Sequence, residues 1–241
     1  MRVPSMRIVG NVLAVACCAV VLGGCSGNPE PKVATTPAKA VALAGPQVDT
    51  TPLRYKHYDF APAKTPEELA AADYIQVTAI GTVEKFLEGP TYITEPNNSP
   101  YPRVYMVVKV DKAFKGAVKH GSAIQENRLY IEFDRGPINT LDGKTPLIPM
   151  SDFEKGIPAG TRVAVFATNA PKISKQLVNT ERTAPVKTFS PHPQGLMFED
   201  PGRAGNRRMV PGLIEYGQLP PVWQNIPNLD ELAARMSTVN D

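Results

Sequence analysis

Apolar and polar residues alternate along several short stretches, and this pattern constrains the fold of the chain more than any other feature. In residues 74–83, apolar or small side chains at every second position alternate with Gln76, Thr78 and Thr82. Successive side chains of a β-strand point to opposite faces, so a period of two predicts a strand with one buried face. Similar patterns predict strands at 104–110 and 129–133, and a mostly apolar run predicts a central strand at 163–167. Weaker candidates are 186–189, 195–199 and 208–210.

Sequence patterns typical of helices are few, and they lie on either side of the predicted strands. Thr65-Pro66-Glu67-Glu68 combines a capping residue, a proline at the first helical position and a glutamate three residues after the cap, which predicts a short helix ending near Asp73. Asn228-Leu229-Asp230-Glu231 repeats this logic, and Leu229, Leu232 and Met236 then give one apolar helical face. Long connections rich in proline and glycine are predicted at 88–102 and 136–160.

Five to eight strands with only two short helices predict a mainly β fold, a small barrel or sandwich. The order of a helix, AADYIQVTAIGTV, a long loop, VYMVVKVDKAFKG, a strand and PAGTRVAVFAT resembles small OB-like barrel domains of bacterial extracytoplasmic proteins. The resemblance covers residues 71–168 and implies an OB-like barrel, to which the two capping motifs add a short helix at each end of the domain. It implies no activity, since one fold serves many functions.

The amino terminus reads as an export signal. Arg2 and Arg7 give a positive start, and residues 8–22 form an apolar stretch interrupted only by Gly10 and Asn11. Positive, apolar and small-residue zones in this order predict a secretory signal peptide over residues 1–24. An uncleaved membrane helix is the alternative, but a span needs about 20 apolar residues and this run is shorter.

Leu22-Gly23-Gly24-Cys25 resembles the lipobox of bacterial lipoproteins. The resemblance implies a diacylglyceryl group on the Cys25 thiol, cleavage before Cys25, and a lipid anchor on the extracytoplasmic side of a cell membrane or outer membrane. The other two cysteines, Cys17 and Cys18, lie inside the apolar zone, so Cys25 would be the only cysteine after cleavage. An ordinary free thiol there is the alternative, and it would be a liability in an exported protein.

Residues 25–52 are predicted to be the lipidated cysteine and a flexible tether, followed by a single mainly β domain at 53–241. The tether is built mainly from Ala, Pro, Thr, Val and Gly and has no aromatic residue. Without Arg2 and Arg7 the chain carries 24 basic against 23 acidic residues, so its net charge gives no argument for nucleic-acid binding. The expected partners are the membrane, through the lipid, and an envelope protein or glycan.

A search for catalytic and metal-binding motifs identifies none. The three histidines, His57, His120 and His192, do not have ligand spacing, and nucleophile elbows, phosphate-binding loops and dinucleotide-binding turns are missing from the sequence. No cofactor and no metal are therefore expected.

The remaining candidates are possible binding residues. Glu132 and Asp134 lie two apart on one strand and therefore share a face, where they can line a groove or simply form the polar side of a half-exposed strand. The loop PGRAGNRR places Arg207 where an anion can bind, although a solvated turn explains it equally. Tyr92, Tyr101 and Tyr105 bracket the long connection at 88–102, where aromatic rings can stack on sugars or contact a protein.

These observations favour a non-enzymatic binding or assembly module of the cell envelope. Two alternatives remain open at this level. One is an envelope hydrolase that uses strand carboxylates such as Glu132 and Asp134, and the other is a small-ligand carrier, which requires a sizeable apolar cavity.

Overall fold

A computed structural model describes residues 47–94, 99–116, 124, 126–139, 141–143, 145–170, 187–202 and 209–239. The six strands are β1 (Val77–Thr94), β2 (Ser99–Lys115), β3 (Arg128–Asp134), β4 (Arg162–Asn169), β5 (Phe189–Glu199) and β6 (Met209–Pro211). The helices are α1 (Pro66–Ala71), α2 (Met150–Gly156), α3 (Pro221–Gln224) and α4 (Leu229–Met236), with 3-10 turns at Thr51–Leu53 and Tyr216–Gln218.

The six strands form one sheet that closes on itself like a ring. Their order is β3-β2-β1-β4-β5-β6, and all neighbours in this order are antiparallel. The ring closes where β3 and β5 run parallel, through a single residue pair, Ile131 and Phe189. The predicted mainly β fold is confirmed.

Inside the ring, alternate residues of each strand pack into one apolar core. Val104, Met106 and Val108 of β2 contribute to it, as predicted from the period of two, and all three are fully buried. Helix α2 closes this core, and its Phe153 ring lies 5.7 Å from that of Phe86 on β1. Contacts of this kind remove apolar surface from water, which is the main term that stabilises such a fold.

A second apolar core lies outside the ring, where α1, α3 and α4 cover strands β1, β4 and β5. Ile80, Phe166 and Trp223 are buried there, and the indole N–H of Trp223 donates to the carbonyl oxygen of Ala63 at 3.1 Å. Residues 77–81 of β1 are therefore buried on both faces, and even Thr78 is only 1% exposed. The expectation of a polar, solvated face is wrong for Thr78, because the helices cover that part of the strand, whereas Gln76 is exposed and Thr82 is partly exposed.

Both predicted helix caps are confirmed. The hydroxyl of Thr65 accepts a hydrogen bond from the Glu68 backbone N–H at 3.1 Å. The side-chain oxygen of Asn228 accepts one from the Glu231 N–H at 2.9 Å. Capping satisfies a backbone donor that has no partner inside the helix, and this is a local effect that the sequence can reveal.

The two long connections differ from the prediction. Most of 88–102 forms the arms of the β1–β2 hairpin, in which Tyr92 faces Tyr101 and the register shifts between Glu88 and Thr91. Proline lacks an N–H donor but fits a strand at edges and irregularities of the ladder, so Pro100 and Pro102 do not end β2. The second connection, 136–160, contains the helix α2, which was not predicted.

The described part of the chain is packed from Val48 onward. Val48 and Thr50 are buried, and the Thr50 hydroxyl donates to the carbonyl oxygen of Pro211 at 3.1 Å. The signal peptide, Cys25 and most of the tether lie outside the described residues, as does Arg207. Among the residues that are described, no helix has the length and apolar character to cross a membrane.

Candidate functional site

The two candidate carboxylates of β3 lie beside an arginine on β2. Leu129, Ile131 and Phe133 point into the ring, so Glu132 and Asp134 point outward. The antiparallel register places Arg103 opposite Asp134 and Tyr105 opposite Glu132 on this outer side. Glu132 and Asp134 are nevertheless only 5% and 6% exposed.

Four charged side chains form what we call the carboxylate cluster: Lys56, Arg103, Glu132 and Asp134. Arg103 Nε lies 3.0 Å from Glu132 Oε1 and its Nη1 lies 3.6 Å from Asp134 Oδ2, while Lys56 Nζ lies 3.3 Å from the same Asp134 oxygen. The Nε contact is an ion pair without hydrogen-bond geometry. Thr188 adds a hydrogen bond to Glu132 Oε2 at 3.1 Å. Two cations and two anions leave this cluster without net charge.

Tyrosine rings surround the buried members of the carboxylate cluster, Arg103, Glu132 and Asp134. Burial raises the pKa of the Tyr55 hydroxyl, and the nearby Asp134 carboxylate raises it further. Burial and the Asp134 charge raise the pKa of Tyr58 to about 12. The guanidinium of Arg103 lies 5.7 Å from the centre of the Tyr92 ring. Tyr105 is 2% exposed, and its hydroxyl has no hydrogen-bond partner of acceptable geometry among the described residues.

Opposing effects act on the carboxyl group of Glu132. Burial raises the pKa of its carboxyl group, opposed by the Arg103 charge and the Thr188 hydrogen bond. Carboxylate hydrolases need an acid and a base that reach the substrate. Here both carboxylates are occupied by Arg103 and enclosed by rings, so the arrangement fixes β3 against β2 rather than presenting reactive groups.

An open groove lies beside the carboxylate cluster, and we call it the Tyr101 groove. Its volume is about 520 Å³, and its lining residues are Tyr55, Lys56, Ser99, Pro100, Tyr101, Pro137 and Ile138. The β1–β2 hairpin supplies one wall, and the connection after β3 supplies the other. Tyr101 is 38% exposed, which leaves its ring available for contact.

A second cavity, the Leu147 groove, shares Tyr55 with the first. Its volume is about 730 Å³. Its lining residues are Asp49, Thr51, Pro52, Arg54, Tyr55, Leu147, Ile148, Asp152, Lys155, Gly156 and Glu215. Among the described residues, the exposed large hydrophobic side chains are Tyr74, Tyr101, Leu141 and Leu147. Tyr101 and Leu147 line the two grooves, and Leu141 lies in the connection that joins them.

The connection after β3 owes its shape to local sequence. Gly136 has a φ of +75°, which favours glycine, and its N–H donates to Asp134 Oδ1 at 3.0 Å. Ile138 then pairs with Pro146 across a turn at Gly143, whose φ is +64°. The side-chain oxygen of Asn139 accepts from the Leu141 N–H at 2.9 Å. These contacts hold Ile138 and Leu147 at the two grooves.

The structure separates the predicted site residues into two places. Tyr92, Tyr105, Glu132 and Asp134 belong to the buried region of the carboxylate cluster, and Tyr101 lines an open groove. Sequence reasoning missed Tyr55, Lys56 and Arg103. The alternation of β2 already places Arg103 on the face of Tyr105, so that residue had a signal in the sequence.

Two of the histidines lie in the described part of the chain, and they lie in different settings. His57 is exposed, whereas the ring of His192 lies 5.5 Å from that of Phe60 and 5.8 Å from that of Tyr74. Within the described ranges, no three His, Cys, Asp or Glu side chains are arranged to hold a metal ion.

Comparisons with known proteins assign no family to the chain. No protein-family model matches it, and neither does any curated protein or solved structure.

Proposed function

We propose that this protein is a non-enzymatic binding module of the bacterial cell envelope, held at a membrane by lipid on Cys25. Its ligand would lie across the Tyr101 and Leu147 grooves. The observation that carries this proposal is that the two grooves meet at Tyr55 and that exposed Tyr101 and Leu147 flank them. Exposed apolar side chains gathered at concave surfaces are typical of binding sites.

The strand order supports an OB-like barrel as the finer description of the fold. Around the ring the strands follow β1-β2-β3-β5-β4, with β3 parallel to β5 and the helix α2 between β3 and β4 in the sequence. OB-folds take extended polymers on the face of their second and third strands and on adjacent loops. The Tyr101 groove lies at that place, which favours an extended ligand over a small one.

The two alternatives have less support. A hydrolase would need Glu132 or Asp134 to reach a substrate, and their ion pairs with Arg103 and Lys56 oppose this. A small-ligand carrier would need an apolar cavity, whereas large side chains such as Phe153 and Phe189 fill the core inside the ring.

The binding proposal is tested with purified cell-wall sacculi and detergent-solubilised envelope proteins. We expect the full-length protein to be retained by one of these fractions and the double variant Tyr55→Ala/Tyr101→Ala to be lost from it. Tyr74→Ala is the matched control, because Tyr74 is 52% exposed but lines neither groove. Retention that is equal for all three proteins would contradict the proposal, and turnover of a substrate that is abolished by Glu132→Gln would favour the hydrolase.

The anchor is tested separately with Cys25→Ala. We expect the variant to leave the membrane fraction and its precursor to remain uncut before residue 25. If it still fractionates with membranes after cleavage at the same place, the lipid anchor is excluded.

A further inference from the structure

Residues 54–64 run from the two grooves to the core outside the ring, and we call this segment the strap. Tyr55 lines both grooves, Lys56 lines the Tyr101 groove, and Ala63 is buried in the core outside the ring. The strap contains no helix or strand, and among the described residues no backbone hydrogen bond involves residues 55–62. Such a segment opens locally at low cost, so its position depends on its ends and its side chains.

Hydrogen bonds fix the strap at both ends. At its start, the Arg54 guanidinium donates to the carbonyl oxygens of Pro211 and Gly212. Near its other end, the side chain of Gln194 makes two hydrogen bonds to the backbone of Ala63. Its Oε1 accepts from the Ala63 N–H at 2.9 Å, and its Nε2 donates to the Ala63 oxygen at 2.8 Å. Gln194 is fully buried, so the second end of the strap depends on where β5 places this side chain.

A bulge in β5 places Gln194, and His192 supports that bulge. Two steps along β4, from 165 to 167, correspond to five steps along β5, between 191 and 196, so the extra residues leave the regular ladder. Inside the bulge the backbone N–H of Gln194 donates to Nδ1 of His192 at 3.3 Å. His192 therefore holds the residue that in turn holds Ala63.

A second proton on His192 would remove this hydrogen bond. Because Nδ1 accepts, the neutral ring carries its proton on Nε2, and protonation would place a new N–H directly against the Gln194 N–H. The ring is half-buried, 5.5 Å from the ring of Phe60 and 5.8 Å from that of Tyr74. Burial lowers the pKa of His192, so the folded protein resists this proton until the pH falls below 6.5.

The charged groups around the ring have other partners or do not pair with it. Tyrosine hydroxyls such as that of Tyr74 are neutral near pH 6. The charged side chains on the segments around His192 are those of Asp59, Lys64, Glu67, Glu68, Asp73 and Arg162. Glu67 pairs with Arg235, and Arg162 pairs with Glu199 and Asp230. Within the described ranges none of these charges forms an ion pair with His192, and its lowered pKa has burial as its cause.

We infer that protonation of His192 releases the Ala63 end of the strap and thereby weakens ligand binding in the Tyr101 and Leu147 grooves. The neutral ring holds Gln194, Gln194 holds Ala63, and the strap places Tyr55 between the two grooves. Side chains alone hold the strap between Ala63 and the grooves, so release of that end lets Tyr55 shift. This inference describes a regulation of the proposed binding function and rests on it.

Hydrogen–deuterium exchange of the full-length protein in detergent micelles tests the release without any ligand. Peptides covering Ala63 and Gln194 are compared at pH 7.5 and pH 5.0, with labelling times scaled to the intrinsic exchange rates. We expect their protection to fall about fivefold at pH 5.0, as for the loss of one hydrogen bond, while residues 104–108 of β2 stay protected.

Three variants assign the change to His192. His192→Asn should keep the same protection at both pH values, because its side-chain oxygen can accept from the N–H two residues on and takes up no proton. His192→Phe keeps a ring but offers no acceptor, so it should be poorly protected at both. His57→Asn is the matched control, because His57 is exposed on the strap, and it should respond to pH like the unmodified protein.

Retention on the sacculi and envelope-protein fractions at the same two pH values tests the effect on the grooves. We expect the unmodified protein to bind about fivefold more weakly at pH 5.0 and His192→Asn to bind equally at both. The fluorescence of Trp223, which is buried in the core outside the ring, verifies that each variant is folded.

Unchanged protection of Ala63 at pH 5.0 would overturn the inference. A loss of protection that persists in His192→Asn would also overturn it and assign the effect to another group, such as Glu132. If protection falls but retention does not, the release does not reach the grooves and the inference is again overturned. If no fraction retains the protein at either pH, the binding function fails and its regulation with it, whereas the exchange data still show whether His192 holds the strap.

Discussion

Replacing Arg103 with methionine should destabilise the fold by removing the shared cation of the carboxylate cluster. The side chains of Glu132 and Asp134 are 3% and 4% exposed, so neither carboxylate can recover its hydration without local opening. Breaking a buried ion pair by removing one partner costs about 3–5 kcal/mol. Because Lys56 still pairs with Asp134, we expect the lower end of this range, about 3 kcal/mol at pH 7.

The stability lost in Arg103→Met should be smaller at low pH than at pH 7. Burial raises the pKa of Glu132 above its ordinary value of 4.5, and Arg103 opposes that rise, so the variant raises the pKa further. A raised carboxyl pKa means that the folded state binds the proton more tightly than the unfolded state does. The contribution of this proton binding to the free energy of unfolding is fully present below pH 4.5. It is lost as the pH rises through the folded-state pKa of Glu132. The deficit of Arg103→Met should therefore shrink as the pH falls from 7 towards 4.5.

Urea unfolding followed by the fluorescence of Trp223, the only tryptophan, measures both effects. Arg128→Met is the matched control, because Arg128 pairs with Glu84 at 2.6 Å but is 40% exposed. Such an exposed pair is worth no more than about 1 kcal/mol. Adding Glu132→Gln to Arg103→Met should recover much of the lost stability. If Arg103→Met is as stable as the control at pH 7, or its deficit is the same at both pH values, the structural role assigned to the carboxylate cluster is refuted.

Three further outcomes are expected in the same unfolding assay. Gly195→Ala should lose about 1–3 kcal/mol, because a Cβ there would stand 2.6 Å from a backbone oxygen of β4, whereas Gly217→Ala, with nothing within 4 Å, should change little. Asn228→Ala should lose about 1 kcal/mol with its cap, and equal stability would show that the cap is dispensable. Burial lowers the pKa of His192, so its unfolded state takes up the proton first and stability falls as the pH drops below 6.5. His192→Phe should remove that part of the pH dependence, and an unchanged profile would contradict it.

The sequence predicts those parts of the fold whose causes are local. The period of two in residues 104–110 identifies the inward face of β2, and the caps at Thr65 and Asn228 mark real helix starts. The sequence does not predict features that depend on contacts between elements far apart in the chain. Thr78, on the predicted polar face of β1, is buried because α1, α3 and α4, placed by tertiary contacts, cover that part of the strand. Pro100 and Pro102 lie within β2 instead of ending it.

In the candidate site, too, local sequence predicts some features and contacts between distant elements determine the others. Spacing alone puts Glu132 and Asp134 on one face, but only the β2–β3 register reveals that Arg103 lies between them and pairs with both. Tyr55 and Lys56 reach the site from a segment that precedes the first strand and has no regular pattern. No sequence period can place such residues, because their position depends on the folded hairpin that they contact.

The single pair that closes the ring has a consequence for how the chain folds. The β1–β2 hairpin joins neighbours in sequence, whereas Ile131 and Phe189 must meet across β4 and two connections. Contacts between distant residues require loop closure first, so this junction should form last. Until β5 is available, β3 and β4 each present an unpaired edge, which is a template for association with other chains. During synthesis the risk of aggregation should therefore persist until β5 has been made and docked.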